Sequence, residues 1–311
     1  MIRPLLLAAC SALACYSLLA QNPAWQPPAG HTQIPIWPGN PPDAEFGPPA
    51  NTETTEAGDS LVAGRPWLDV QNVSRPTMTV YSPEGKNTGV AVVVFPGGGY
   101  EDLAIDFEGT EVCDWLTPKG ITCVLLKYRV PHSGPQYDTK CQCQVNPKAP
   151  MALQDAQRTL GLIRFHAAEY HIDSHKVGVL GFSAGGHLVA DISTHFERRA
   201  YPAIDAADKE SCRPDFAVAL YPGHLVTGIR DIPVTRQTPP TFLLHAENDP
   251  VDTVNNSLVY YTALKNAGVP VEMHLYAEGG HAFGLRRTHD PITRWPELVE
   301  AWLQTIGMIS P

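Results

Sequence analysis

Between residues 77 and 307, short apolar runs alternate with segments whose apolar positions recur every three or four residues. That alternation leaves few folds open. The runs "TMTVY" (77–81), "GVAVVVF" (89–95), "ITCVLLKYRV" (121–130), "KVGVLGF" (176–182), "FAVALYP" (216–222), "TFLLHAE" (241–247) and "VEMHLYAE" (271–278) read as strands. The most apolar of them suit strands covered on both faces. Between them, "EGTEVCDWLTPKG" (108–120), "APMALQDAQRTLGLIRFHAAEY" (149–170), a segment beginning near Ser183, "NNSLVYYTALKNAG" (255–268) and "ELVEAWLQTIG" (297–307) read as helices, with Gly120 and Gly268 as stops. The expectation is one α/β domain, a mostly parallel central sheet with helices on both faces. No internal repeat is visible. In such sheets ligands sit at the carboxyl ends of the strands.

The 311 residues are 43% hydrophobic, enough for a sizeable core. The formal charge is -10, with 22 basic residues scattered and outnumbered by 32 acidic ones. That balance speaks against nucleic acid and favours a small-molecule or polysaccharide substrate of little charge. Residues 1–20 carry one early Arg and then an apolar run to Ala20, which reads as a signal peptide for a secreted or periplasmic protein. A second option is lipoprotein processing at Leu7-Ala8-Ala9-Cys10, but the apolar stretch ahead of Cys10 is short. No other segment is apolar for long enough to span a bilayer, so no stable membrane insertion is expected. Residues 21–65, rich in Pro, Gly, Thr and Asn, read as an irregular arm over a domain at 66–311. Oligomeric state is not legible.

Seven cysteines are present. Without Cys10 and Cys15 there remain Cys113, Cys123, Cys141, Cys143 and Cys212. Export allows one or two disulfides, and the odd count leaves at least one free thiol. Cys212 is the expected partner of Cys141 or Cys143, while Cys113 and Cys123 read as buried packing residues. The spacing fits no zinc site, and nothing implies a metal or organic cofactor.

The chemistry lies just after the strands. Pro96-Gly97-Gly98-Gly99-Tyr100 follows the run at 89–95, and its glycines bring bare N–H groups close to a ligand oxygen. Ser183 follows the run at 176–182, Asn248-Asp249-Pro250 the run at 241–247, and Gly279-Gly280-His281 the run at 271–278. A serine, a carboxylate and a histidine thus reach one edge of one sheet. Each alone has a plainer reading: Ser183 as a helix cap, Asp249 as a turn residue, His281 as a loop histidine. Asp252 competes with Asp249 for the imidazole. His187 and His245 read as structural, and Glu101, Asp102, Asp106 and Glu108 as a solvated acidic loop.

"VFPGGGY" (94–100), "EG" (108–109), "LKYRV" (126–130), "GFSAGGHL" (181–188), "HAENDPV" (245–251) and "GGHAFG" (279–284) resemble the secreted bacterial α/β-hydrolases related to acetylxylan esterases and hormone-sensitive-lipase-type carboxylesterases. The resemblance covers about residues 75–307, departing from the lipase group in Pro96, where that group carries His. It implies the α/β-hydrolase fold and a serine esterase. Ser183 would be the nucleophile, His281 the base and Asp249 its carboxylate, with an oxyanion hole from the N–H groups of Gly98, Gly99 and Ala184.

Only about 18 residues separate Pro222 from Thr241, too few for a large cap domain. An open site suits short acyl esters on plant polysaccharide, acetyl as on acetylated xylan first, feruloyl or a general short-chain ester second. A prolyl-oligopeptidase-type peptidase would bring a propeller, for which the chain leaves no residues, and a dienelactone hydrolase would carry Cys at 183. The non-enzymatic alternative is a catalytically dead, carbohydrate-binding relative.

Overall fold

The computed structural model describes residues 23–131, 136–138, 143–145 and 150–310. The leader at 1–20, with Cys10, and Cys141 lie outside them. Eight strands form one sheet: β1 (Gln33–Pro35), β2 (Thr77–Tyr81), β3 (Ala91–Phe95), β4 (Thr122–Lys127), β5 (Val177–Phe182), β6 (Ala217–Leu220), β7 (Thr241–Ala246) and β8 (Val271–Tyr276). Their order across the sheet is β1-β2-β4-β3-β5-β6-β7-β8. β2 pairs antiparallel with β1 and β4, and every other pairing is parallel.

Every residue of β3 to β7 is buried, as apolar runs in a doubly covered parallel sheet must be. β8 lies at the edge, is only half-buried, and carries Glu272 and His274 there, bonded to each other at 2.8 Å. Polar residues on an edge strand discourage further pairing.

Helices α1 (Glu111–Leu116), α2 (Pro150–Phe165), α3 (Ala184–Ile192), α4 (Leu225–Gly228), α5 (Asn255–Ala267) and α6 (Trp295–Thr305) cover the sheet. Successive residues of a strand point to opposite faces. The Phe182 ring meets Trp295 of α6 at 5.8 Å, while a side chain on neighbouring Gly181 would strike α3. Trp115 on α1 meets Trp295 at 5.3 Å, so α1 and α6 share a face, and α2 packs against α3 on the other. Between β6 and β7 the chain forms only the one-turn α4 and a 3-10 turn at Ile229–Asp231, with no cap domain.

Three features depart from the sequence reading. The segment expected as one helix at 108–120 is a π-helical turn at Asp106–Thr110, then α1, then a 3-10 turn ended by Gly120 at φ 79. Residues 23–65 do more than lie over the domain. They supply β1, bury Trp25, Ile36 and Trp37, and place Thr54–Ala57 in a small antiparallel sheet with Leu68–Gln71 and Asp102–Ala104. Strands of three or four residues next to prolines carry too little periodicity to read.

The third departure concerns the cysteines. Cys113 and Cys123, read as packing residues, form a disulfide, because α1 folds back through the Gly120 turn onto β4 and leaves their Cα atoms 5.1 Å apart. Cys212, expected to pair with Cys141 or Cys143, is instead a buried free thiol whose Sγ bonds the Phe196 carbonyl at 3.3 Å. Among the described residues no helix is long and apolar enough to cross a membrane.

Candidate active site

β5 passes into α3 through a single residue, Ser183. Its backbone sits at φ 50 and ψ -117, a conformation costing a side-chain-bearing residue about 1–3 kcal/mol. The cost is offset locally. The Ser183 N–H donates to the Leu220 carbonyl at 3.1 Å, and its own carbonyl accepts from the N–H groups of His187 at 3.0 Å and Gly223 at 3.1 Å. The flanking glycines are required by approach: a Cβ on Gly181 would lie 2.2 Å from the Gly185 carbonyl oxygen, and one on Gly185 2.1 Å from that of Phe95. Strand, turn and helix therefore close only around small residues, and the serine hydroxyl stands at the carboxyl end of the sheet.

Two loops bring partners to it. His281 follows β8 through Gly279 and Gly280, and Gly280 N–H donates to Asn248 Oδ1 at 2.9 Å, tying this loop to the one after β7. Asp249 Oδ2 lies 2.7 Å from His281 Nδ1, and His281 Nε2 lies 3.0 Å from Ser183 Oγ. The other Asp249 oxygen accepts from the N–H groups of Val251 at 2.8 Å and Asp252 at 2.9 Å. Burial acts to raise the Asp249 carboxyl, but hydrogen bonds from His245 and His281 outweigh it and hold it well below the ordinary carboxylate range. An ionised Asp249 can only accept, so Nδ1 carries the proton and the Nε2 lone pair faces the serine. Burial opposes charge on His281 as well, yet bonding to Asp249 raises it above the ordinary imidazole value, with the charges of Asp249, Glu108 and Asp252 adding to the effect.

Asp252 stands elsewhere in the cluster. Its Oδ2 is 3.3 Å from Ser183 Oγ and 3.9 Å from His281 Nε2, so it faces the serine side of the ring and not Nδ1. His245 braces the acid loop, its Nδ1 2.8 Å from Ser257 Oγ and its Nε2 2.9 Å from the Asp252 carbonyl oxygen. His187 is half-buried, with Nδ1 2.8 Å from the Tyr100 hydroxyl, and loss of solvent around the ring pushes it down to about 4, which keeps it neutral.

The glycine turn after β3 forms the facing wall. Gly98 at φ 128 and Gly99 at φ 64 line the cavity with Ser183 and His281. A Cβ on Gly98 would lie 2.2 Å from the Asp102 carbonyl oxygen, so the turn admits no larger residue. Ala184 opens α3, where an N–H has no acceptor within the helix.

The acidic loop departs from the solvated reading: only Glu101 is exposed, Asp102 and Asp106 are half-buried, and Glu108 goes furthest. Glu108 is 2% exposed. Its carboxylate accepts from Gly97 N–H at 2.7 Å and from the Tyr221 hydroxyl at 2.7 Å. Tyr221 in turn accepts from Gly284 N–H at 3.1 Å and sets its ring 5.0 Å from that of His281. Burial pushes Glu108 up to about 7 against those two hydrogen bonds. One side chain thus ties the glycine turn to the histidine loop. The sequence signal for it was present in "EG" at 108–109; Tyr221 gave none beyond its place after β6. The cavity, about 400 Å³, is completed by Trp67, Phe107, His224 and Val251.

The BD-FAE family matches residues 78–220, and the prolyl oligopeptidase family matches residues 227–307. An acetylxylan esterase of Xylanibacter ruminicola is 30% identical over 233 residues, 70% of this chain and 45% of that protein. Endo-1,4-beta-xylanase B of Butyrivibrio fibrisolvens is 28% identical over 61% of this chain and 32% of its own length. The chain thus spans less than half of either relative. Among solved structures, an acetyl ester-xyloside bifunctional hydrolase from Caldicellulosiruptor lactoaceticus is 31% identical, with a TM-score of 0.69 over 90% of this chain and 97% of that one. A thermophilic esterase from Thermogutta terrifontis, at 20% identity and a TM-score of 0.61 over 76% of this chain and 91% of its own, shares the fold. Together with the sheet order and the serine turn, these likenesses make the chain a member of the α/β-hydrolase esterases.

Proposed function

We propose that the protein is a serine ester hydrolase that removes short acyl groups, acetyl first, from plant polysaccharide such as acetylated xylan. In this reading Ser183 Oγ attacks the ester carbonyl carbon while His281 Nε2 takes its proton and Asp249 holds the imidazole in the Nδ1–H tautomer. The oxygen that becomes negative lies against the N–H groups of Gly98, Gly99 and Ala184. Collapse expels the alcohol, which receives the proton from Nε2. Water then repeats the sequence on the acyl-serine and releases the acid.

The observation that supports this reading most is the unbroken line of hydrogen bonds from Asp249 through His281 to Ser183, 2.7 Å and 3.0 Å, opening onto a cavity walled by glycine backbone. The acetyl group rests on similar proteins, an acetylxylan esterase and an acetyl ester-xyloside bifunctional hydrolase. Work outside the cytosol is part of the proposal, supported by the leader read at 1–20 and the Cys113–Cys123 disulfide. The deciding experiment is release of acetate from acetylated xylan, set beside ferulate release from feruloylated xylan and hydrolysis of p-nitrophenyl esters of increasing length. Preference for acetate supports the proposal. Ferulate release faster than acetate release overturns the acyl assignment, and no ester hydrolysis at all favours a binding protein.

The pH profile follows from His281. The base works only when neutral, and its value in the folded protein lies above the ordinary imidazole value of about 6.5. Activity is therefore lost as pH falls through that raised value, so the acid limb of kcat/KM on a short ester has its midpoint above about 6.5. A midpoint at or below that value contradicts the proposed role of the Asp249 pair.

A further inference from the structure

Three carboxylates stand around the serine, and the protein supplies donors to two of them. Asp249 accepts from His281 and from the N–H groups of Val251 and Asp252, and Glu108 from Gly97 and Tyr221. The Asp252 side chain differs. Among the described residues its one hydrogen-bond donor is the Ser183 hydroxyl, 3.3 Å from Oδ2. That hydroxyl has a single proton, which ester hydrolysis sends to His281 Nε2 at 3.0 Å. When the serine attacks, Asp252 is left facing the cavity with no donor from these residues.

Packing and backbone bonds hold the carboxyl there. It lies over Gly223, where an added Cβ would come within 2.6–2.8 Å of three carboxyl atoms, and Gly223 N–H donates to the Ser183 carbonyl. The N–H of residue 252 donates to Asp249 Oδ1 at 2.9 Å, and its carbonyl lies 2.9 Å from His245 Nε2. Neither bond involves the side chain. Asp252 lines the cavity with 16% of its side chain exposed, and its Oδ2 is aimed at Ser183 Oγ. Any ester that reaches Oγ therefore comes to rest beside Oδ2.

The same oxygen is 3.9 Å from His281 Nε2, the atom that returns the proton to the departing alcohol. The leaving oxygen must come within hydrogen-bond reach of Nε2, which brings a hydroxyl on the adjoining carbon within reach of Oδ2. The acyl side offers no match, because acetyl has no donor. We infer that Asp252 determines specificity on the alcohol side, accepting a hydrogen bond from the hydroxyl next to the scissile ester. The site then prefers monoesters of vicinal diols, the arrangement a sugar ring presents, over esters whose neighbouring oxygen is capped or missing. Those esters displace water from the carboxylate without replacing its hydrogen bond. The inference rests on the proposed ester hydrolysis and adds to it, since that reading gives Asp252 no part.

The test uses three acetates on one ring: trans-2-hydroxycyclohexyl, trans-2-methoxycyclohexyl and cyclohexyl acetate. The methoxy ester keeps the neighbouring oxygen and loses its proton. The ratio of kcat/KM for the hydroxy ester over the methoxy ester is expected to fall about tenfold from wild type to Asp252→Ala, mainly through KM of the hydroxy ester. In Asp252→Asn, which keeps an acceptor without the charge, a fall of about threefold is expected. The same falls are expected against cyclohexyl acetate, which excludes the bulk of the methyl group as their cause. Comparing each ratio with that of the wild type cancels the intrinsic reactivities of the esters. Thermal midpoints check folding. A folded Asp252→Ala, or a folded Asp252→Asn where the alanine variant does not fold, that keeps the wild-type ratios overturns the role of Asp252 while the ester reading stands. A wild type that cleaves none of the three overturns the ester reading and this inference with it.

Discussion

Ser183→Ala is expected to lower kcat on short acyl esters by about 10⁴-fold or more and to leave the fold unchanged. Alanine has the same Cβ as serine, so it meets the φ of 50 with the same strain, and the backbone bonds of residue 183 to Leu220, His187 and Gly223 persist. What disappears is the oxygen 3.0 Å from His281 Nε2. The glycine-turn amides and the cavity remain, so a small rate above that of water is expected to survive. Stopped assays on p-nitrophenyl acetate, with the thermal midpoint as a control for folding, check the result. A folded variant retaining a tenth of the wild-type rate would end the assignment of Ser183 as nucleophile.

The second large effect separates two aspartates. Asp249→Asn is expected to cost about 10⁴-fold in kcat, because an amide facing Nδ1 presents either an acceptor or a donor and no longer enforces the productive tautomer. The effect of Asp252→Asn is expected to be at least a hundred times smaller, of the order of one lost hydrogen bond to a charged group. The difference lies in position. Asp249 Oδ2 is 2.7 Å from Nδ1, whereas Asp252 approaches the ring from the Nε2 side at 3.9 Å and adds charge rather than orientation. Equal losses in the two variants, measured as kcat at saturating ester, would mean that the acid is shared and that the tautomer argument is incomplete.

Much of this is legible in the sequence. Apolar runs such as 91–95 and 177–182 announce a parallel sheet because both faces are covered, and the residues after each run fall at one edge by topology alone. Ser183, Asp249 and His281 could be brought together on that ground, though they are up to 98 residues apart. Strand topology alone could not say which aspartate meets Nδ1, since Asp249 and Asp252 stand on one loop; the family resemblance was what named Asp249. Glu108 was misread because a carboxylate among acidic neighbours looks solvated, and only the π-helical turn at Asp106–Thr110 swings it inward to Gly97 and Tyr221.

Long-range packing hid the rest. The Cys113–Cys123 pairing depends on how α1 lies on β4, which no spacing encodes. Trp67 enters the site through a small sheet whose strands, Thr54–Ala57, Leu68–Gln71 and Asp102–Ala104, are too short to show a period. The legible part was the part built from regular structure; the missed part was built from turns that the rest of the molecule holds in place.

The measurement closest to the central claim is covalent trapping. A serine-directed phosphonate is incubated with the wild type, with Ser183→Ala and with His281→Ala, and the adduct is mapped by peptide mass spectrometry. The expected result is a single stoichiometric adduct on Ser183 of the wild type, formed in step with loss of esterase activity, none in Ser183→Ala, and labelling slowed by orders of magnitude in His281→Ala. Full inactivation with the adduct on any other residue, or labelling of Ser183 at the same rate without the imidazole, would contradict it.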